Sequence, residues 1–430
     1  MKTVKLIMAI FVGILFVSLQ SCTHADYVPV PGPTGTDGTD GVDGTASCVS
    51  CHSAAHRDPI IASYEAGGHS MGIEVNGVVS KHIYGTNITF SDGSLNSNRA
   101  FCSQCHSQEG YIDNAKYGRA NPKGYDAYQA ISCEGCHGQL HRSLNFAVDG
   151  NDFGLRQITA VPQKINPTNF LNASPTGGTS ANNTCITCHQ IRPDSNGFYK
   201  RPVIESGEKD INGAVVVNNA VGGPTYKIWS MKTPALAIAP YPAAAAGTNY
   251  KTYSNSGLGA HESPQADIWM GITGIDIEGT TTHLPAAKTG KHFISSSCIQ
   301  CHMDKPLADG SKGQHSLKVS FQTCATCHTS AANAETLLTT FNIDYDAKIE
   351  SLRLALSAQT TYFTTSATGS VSINKSGIGT ANDTYYSKDI PLKYVQAYWN
   401  YKLLTGDPAK GVHNPLYAKA LIQNSIEALQ

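Results

Sequence analysis

A mainly α fold with extensive irregular loops is what this 430-residue sequence predicts, and three observations predict it. Twelve of its 13 cysteines fall into six CxxC pairs, and each pair is followed at once by histidine. Between those motifs the chain is rich in Gly, Asn, Ser, Thr and Pro, residues 166–183 for example, and neither a helical nor a strand period persists, so loops rather than a sheet are expected there. Beyond His328 apolar residues recur at three- and four-residue intervals, the mark of amphipathic helices.

The motifs come first. CxxCH is the attachment pattern of c-type haem, in which two thiols add to the porphyrin vinyl groups and the adjoining imidazole becomes the proximal iron ligand. On a helical turn positions i, i+3 and i+4 share one face, so all three groups reach one flat macrocycle. With 16 histidines in 430 residues, chance alone would place one after all six pairs with a probability on the order of 10⁻⁹. Zinc ligation does not require histidine at that position every time, and cysteine is too sparse for a scaffold that depends on disulfides. The sequence therefore calls for six covalently bound haem c groups and their iron. In chain order the sites are Cys48, Cys51 and His52 (site 1); Cys102, Cys105 and His106 (site 2); Cys133, Cys136 and His137 (site 3); Cys185, Cys188 and His189 (site 4); Cys298, Cys301 and His302 (site 5); and Cys324, Cys327 and His328 (site 6). Such density leaves little room for an independent core, so the cofactors are expected to supply much of the buried apolar surface.

At the N-terminus, Lys2 and Lys5 precede an apolar run at 6–19, short for a bilayer span and suited to a signal peptide. The run ends Leu19-Gln20-Ser21-Cys22, which resembles a bacterial lipobox and makes Cys22, the odd cysteine, the expected site of lipidation. Residues 31–45 carry glycine at every third position and read as a flexible tether. The expected organisation is a signal peptide (1–21), a lipid-anchored Gly/Asp/Thr tether (22–45), a hexahaem-binding domain (46–330) and a C-terminal helical part (331–430) packed on it. Export is consistent with c-type haem, which bacteria attach outside the cytoplasm. The expected location is a bacterial membrane, the outer membrane by preference, with the haem domain periplasmic or extracellular. Losing Lys2 and Lys5 takes the formal charge from −1 to −3, and six ferric haems with their propionates bring it to about −9. No basic run is present, so nucleic acid is not an expected partner, and a positively charged redox partner is.

Further along, residues 213–250 contain β-prone pieces consistent with a small hairpin, and the alanine run 243–246 beside Pro242 and Gly247 reads as a packed turn. Leu338, Phe341, Tyr345, Ile349, Leu352 and Leu356 form one apolar stripe and predict a helix. A second helix is expected over 392–404. A third opens with Asn414 as N-cap and Pro415 at its first position, with Ala418, Leu421, Ile422 and Ser425 facing inward.

Ten histidines lie outside the motifs, at 24, 56, 69, 82, 141, 261, 283, 292, 315 and 413. Methionine is scarce after the signal peptide, with only Met71, Met231, Met270 and Met303, and Met303 reads as packing. Histidine is thus the natural second axial ligand. His69, His141, His261, His292, His315 and His413 are the six candidates for six irons. His56 is their chief rival, His82 and His283 are weaker, and His24 lies in the tether. Spacing alone does not assign a distal ligand to a particular site.

Several stretches resemble the multihaem c-type cytochromes of bacterial respiration: CSQCHSQEGYI at 102–112, CEGCHGQLH at 133–141, residues 261–271, CIQCHM at 298–303, GQHSLKV at 313–319 and residues 399–415 ending GVHNP. That group includes pentahaem nitrite reductases, octahaem cytochromes and electron carriers of the cytochrome c-552 and c-554 kind. The resemblance implies a multihaem cytochrome fold organised around stacked c-type haems, and it supports His315 and His413 as distal ligands. Nitrite reductases of the group commonly bind their catalytic haem through CxxCK, whereas all six motifs here end in histidine. The leading expectation is accordingly an electron-transfer cytochrome with low-potential bis-histidine haems in anaerobic or extracellular respiration. Its partner would be a redox protein or a terminal electron acceptor, and no residue is assigned as catalytic. The alternative is a multihaem reductase of a nitrogen or sulfur oxyanion such as nitrite, hydroxylamine or tetrathionate, which needs an iron with an open sixth position.

Overall fold

A computed structural model describes residues 53–71, 74–75, 78–79, 99–118, 120, 129–139, 154–191, 217–220, 223–231, 263–305, 307–308, 312–374 and 385–430. The chain divides into two units, Met1–Arg57 and Asp58–Gln430. Of the first, only residues 53–57 are described, so the tether and Cys22 lie outside the described residues.

The second unit is built on three C-terminal helices, Ala331–Ala358, Leu392–Thr405 and Pro415–Ala428. Each begins where its local chemistry says it should. The Ser330 hydroxyl accepts a hydrogen bond from the Asn333 amide at 3.1 Å, and Asn414 caps the last helix by accepting from the Tyr417 amide at 3.3 Å, with Pro415 supplying the fixed φ of a first helical turn. Tyr345, Leu352 and Leu356 are buried on one side of the long helix, and the Tyr345 hydroxyl donates to the Leu404 carbonyl at 2.9 Å. Ala418, Leu421, Ile422 and Ser425 of the last helix are also buried. Between them, the Leu392–Thr405 helix is buried over most of its surface, which explains why its sequence is apolar nearly all round.

After the short helix Gln265–Met270, a chain strip that includes Ile275 and Ile277 runs into this core without regular structure of its own. Its backbone groups are answered by side chains instead. The Asn400 carboxamide accepts from the Ile275 amide (2.8 Å) and donates to the Ile275 carbonyl (2.9 Å), Trp399 Nε1 donates to the Thr273 carbonyl (3.0 Å), and Asn424 accepts from the Ile277 amide (3.1 Å). This is the physical reason polar Asn400 and Asn424 sit fully buried. Asn400→Ala leaves a buried N–H and a buried C=O unpaired, and the expected loss is about 3 kcal/mol. A denaturant midpoint of the intact protein measures it, with Gln423→Ala on the exposed face as the unaffected control.

Strands are short. Val161–Gln163 pairs antiparallel with Asn166–Leu171, so the stretch at 166–183, expected to be loop, begins with a strand; six residues carrying one Pro are too few to establish a period. Val217–Ala220 and Gly223–Met231 form the hairpin expected within 213–250, while residues 243–246 lie outside the described residues. Tyr385–Pro391 adds a third antiparallel strand beside Gly223–Met231. That partner lies far along the chain, where no local pattern announces it. Among the described residues no helix is long and apolar enough to cross a membrane.

Candidate haem sites

Each described motif sits on or at the end of a helical turn. His106 closes the helix Arg99–His106, Cys298–His302 is itself a helix, and His328 closes Phe321–His328. The turn at site 5 is capped by Ser297, whose hydroxyl accepts from the Gln300 amide at 3.1 Å, and the turn at site 6 by Ser320, which accepts from Gln322 at 3.2 Å. At site 4 the helix Asn182–Ile186 is extended by the His189 amide donating to the Cys185 carbonyl at 3.0 Å. Site 3 is the exception in form: Cys133–Cys136 is one turn, and His137 already has extended backbone. Nine motif cysteines are described, and none is in a disulfide. Among the described residues no group of three or more His, Cys, Asp or Glu is placed to hold a bare metal ion. Neither alternative reading of the motifs gains a geometry.

What the fold brings together is imidazole pairs. His189 faces His69 with ring centres 6.1 Å apart; His137 faces His315 at 6.3 Å; His328 faces His292 at 6.3 Å; His302 faces His413 at 6.5 Å. Each pair joins the last residue of a CxxCH motif to one of the six candidate distal histidines. Two imidazoles bound to opposite sides of one metal, each with its nitrogen about 2 Å from the metal and about 1 Å from its own ring centre, have centres about 6 Å apart. The four gaps therefore fit a single iron apiece.

Second contacts fix which nitrogen faces the gap. A carbonyl can only accept, so His302 Nδ1, 2.7 Å from the Leu317 oxygen, and His292 Nδ1, 2.8 Å from the Val412 oxygen, both carry the proton. That leaves Nε2 with its lone pair for a metal, the arrangement in which an outer acceptor both orients the ring and raises its basicity. His189 Nδ1 lies 3.3 Å from Gln265 Oε1 in the same manner. His413 Nδ1 is buried and its nearest acceptor, Asp407 Oδ2, is 3.5 Å away. Burial, then the neighbouring His69, pushes the His189 imidazole down to about 4. His69, His292, His302 and His315 are also lowered, in each case first by burial. These rings are neutral near pH 7, the form that ligates.

His69 and His292 sit on the short helices Gly68–Met71 and Lys291–Ser295, while His315 and His413 are presented by bent backbone. Gly313, Gln314 and Leu317 all have positive φ (77°, 44° and 56°), a costly conformation for the two residues with side chains. That bend puts His315 against His137 and the Leu317 carbonyl against His302, so one loop serves sites 3 and 5. It is held by Ser63, whose hydroxyl accepts from the Ser316 amide at 3.0 Å. Gly411, at φ 76°, opens the turn that presents the Val412 carbonyl to His292 and His413 to His302.

No protein-family model matches the chain, and no curated protein does. A solved structure, the outer cell wall cytochrome OcwA, overlays on 86% of this chain and 50% of its own, with a TM-score of 0.41 at 17% sequence identity. The chain thus spans about half the length of that protein.

Cys22, Cys48, Cys51, His52, His141 and His261 lie outside the described residues, as do His24 and His82; the backbone of Cys102 and His56 is described, their side chains are not. His283 is on the surface beside Asp276, 69% exposed, and takes no part in a ring pair. Met270 is fully buried in an apolar cluster with Trp269 and Phe293. The sequence reading missed the acceptors Leu317, Val412 and Gln265 and the clamp Ser63. A main-chain carbonyl leaves no trace in residue type, and only the glycines of GQH and GVH hinted at bent backbone beside a ligand.

Proposed function

We propose that this chain is an exported hexahaem c-type cytochrome that carries electrons between neighbouring bis-histidine sites. The observation that carries the reading is the set of four histidine pairs at 6.1 to 6.5 Å, each built from a motif histidine and a distant one. On this reading His315 serves site 3, His69 site 4, His413 site 5 and His292 site 6, supported by the four ring pairs. His141 and His261, with His56 as their chief rival, are the candidates for sites 1 and 2. Haem c, when bound, supplies the one-electron chemistry. The paired histidines would hold its iron, Leu317, Val412 and Gln265 orient the His302, His292 and His189 rings, and burial favours the neutral form of those three. An electron carrier needs filled axial positions and little reorganisation on changing charge. A reductase of nitrite, hydroxylamine or tetrathionate needs one position left open, and no ring pair favours that second reading.

The anchor and location go with the same proposal: Cys22 lipidated, the 22–45 tether reaching from a bacterial outer membrane, and a redox protein or terminal acceptor as partner. His/His ligation lacks the thioether that raises potential, so low potentials are expected at most centres. The test is the holoprotein purified from a host that matures c-type cytochromes. Six covalent haems per chain by intact mass, with all ferric signals low-spin and unchanged by nitrite or hydroxylamine, is the expected result. Fewer than six, or a substantial high-spin signal that responds to those ligands, would overturn it.

A further inference from the structure

Site 4 touches more of its neighbours than a link in a simple chain can. Toward site 2, Cys188 Sγ lies 3.8 Å from the carbonyl of Gln104, which stands between the two cysteines of that motif. The Tyr111 hydroxyl, on the helix that follows site 2, donates to the Thr184 carbonyl beside Cys185 at 3.4 Å. Toward site 3, residues 156–158 hold both turns at once. Arg156 donates from Nη2 to the Glu134 carbonyl (2.7 Å) and from Nε to the Gly135 carbonyl (3.2 Å), inside the site 3 motif. The next two carbonyls, of Gln157 and Ile158, accept from Thr184 Oγ1 (2.8 Å) and Asn183 Nδ2 (2.9 Å), just ahead of the site 4 cysteines. Toward site 5, the Ile299 amide, inside that motif, donates to Asn182 Oδ1 at 3.2 Å, at the start of the site 4 turn. The motif cysteines carry the porphyrin edges, so contacts among their turns place edges side by side. Site 5 is joined onward to site 6 through Thr323 Oγ1 on the Asp304 carbonyl (3.1 Å) and Lys305 Nζ on Thr326 Oγ1 (2.8 Å).

We propose that site 4 is the branch point of the haem array, with sites 2, 3 and 5 as its three neighbours and site 6 beyond site 5. The proposal rests on the haem reading above. Each transfer moves one electron from a ferrous to a neighbouring ferric site, with no bond made or broken. The donor is a one-electron redox protein and the final oxidant a terminal acceptor. An electron entering by way of site 6 thus reaches a junction with two exits, and the junction is enclosed: Asn183 and Ile186 within its turn and Ile191 just after it are essentially inaccessible. Cys133 and Cys327, by contrast, are exposed, which puts sites 3 and 6 at surfaces where partners can exchange electrons.

His69→Met in the holoprotein exchanges an imidazole for a thioether and raises the potential of site 4 alone. Poised so that only this site is reduced, and therefore diamagnetic, the protein is examined by EPR power saturation. Three or more of the remaining ferric signals are expected to lose their fast relaxation, with the site 6 signal unchanged. A linear array allows two at most, and two or fewer would overturn the branch. Should the variant fail to mature, stepwise titration of the unsubstituted protein followed by haem-methyl NMR gives the same count, one centre interacting strongly with three others against two. A haem count of six by mass, with a count of two neighbours, sinks the branch and leaves the haem reading standing; a protein without covalent haem sinks both.

Discussion

His413→Ala is expected to convert one low-spin site of six into a high-spin one and to open it to small ligands. His413 enters from the turn between the last two helices and faces His302, the motif histidine of site 5, at 6.5 Å with ring planes only 21° apart. Among the described side chains no other histidine stands opposite His302 in a ring pair and no methionine is placed to replace it: Met303 directly follows His302, and Met270 is buried in a cluster with Trp269. An alanine therefore leaves the sixth position vacant. EPR of the oxidised variant should lose one low-spin component and gain a high-spin signal that shifts on adding cyanide or nitrite and reverts with free imidazole. His283→Ala, which removes an exposed ring paired with Asp276, should change nothing. A high-spin fraction absent from His413→Ala, or equal in both variants, would remove His413 from the axial set. The substitution also tests the reductase alternative from the other side, because it builds the open iron that such chemistry requires.

How far this site was legible in the sequence depends on how local each signal was. The motifs could be read outright, because two thiols and an imidazole on one turn are consecutive in the chain. Six candidate distal histidines were named from the shortage of methionine and the number of irons, and four of them stand opposite a motif histidine, yet that pairing was not readable. His69 reaches a motif 120 residues later, while His315 reaches back across almost 180 residues to His137. Such closures are set by the tertiary fold. The C-terminal helices were legible for the opposite reason: Asn414 before Pro415, and the stripe from Leu338 to Leu356, are signals within one or two turns. The strip from Gly271 to Ile277 gave no such warning. It is buried with no period, and what pays for its backbone is a pair of asparagines more than a hundred residues away.

The twist between axial rings gives the sharpest spectroscopic expectation. An imidazole donates π density into the iron d orbital perpendicular to its plane. Two parallel rings donate into the same orbital and split the pair, giving a rhombic low-spin signal, whereas perpendicular rings leave the pair nearly degenerate and the signal strongly anisotropic. The planes are 89° apart at site 4 and 80° at site 6, 42° at site 3 and 21° at site 5. The oxidised protein should therefore show two strongly anisotropic components, one rhombic component and one between them from these four sites. Gly411→Ala then tests what holds the rings. Its φ of 76° and a new Cβ only 2.5 Å from Ala418 Cβ force the 411–414 turn to move, at a cost of about 2 to 4 kcal/mol. The turn carries His413 for site 5 and the Val412 carbonyl for His292 at site 6, so the rhombic signal and one anisotropic signal should shift together. The site 3 and site 4 components should stay in place, since His315 is held by the 313–317 loop and His69 by the helix Gly68–Met71. A change confined to site 5 would mean that the Val412 carbonyl does not set the His292 ring.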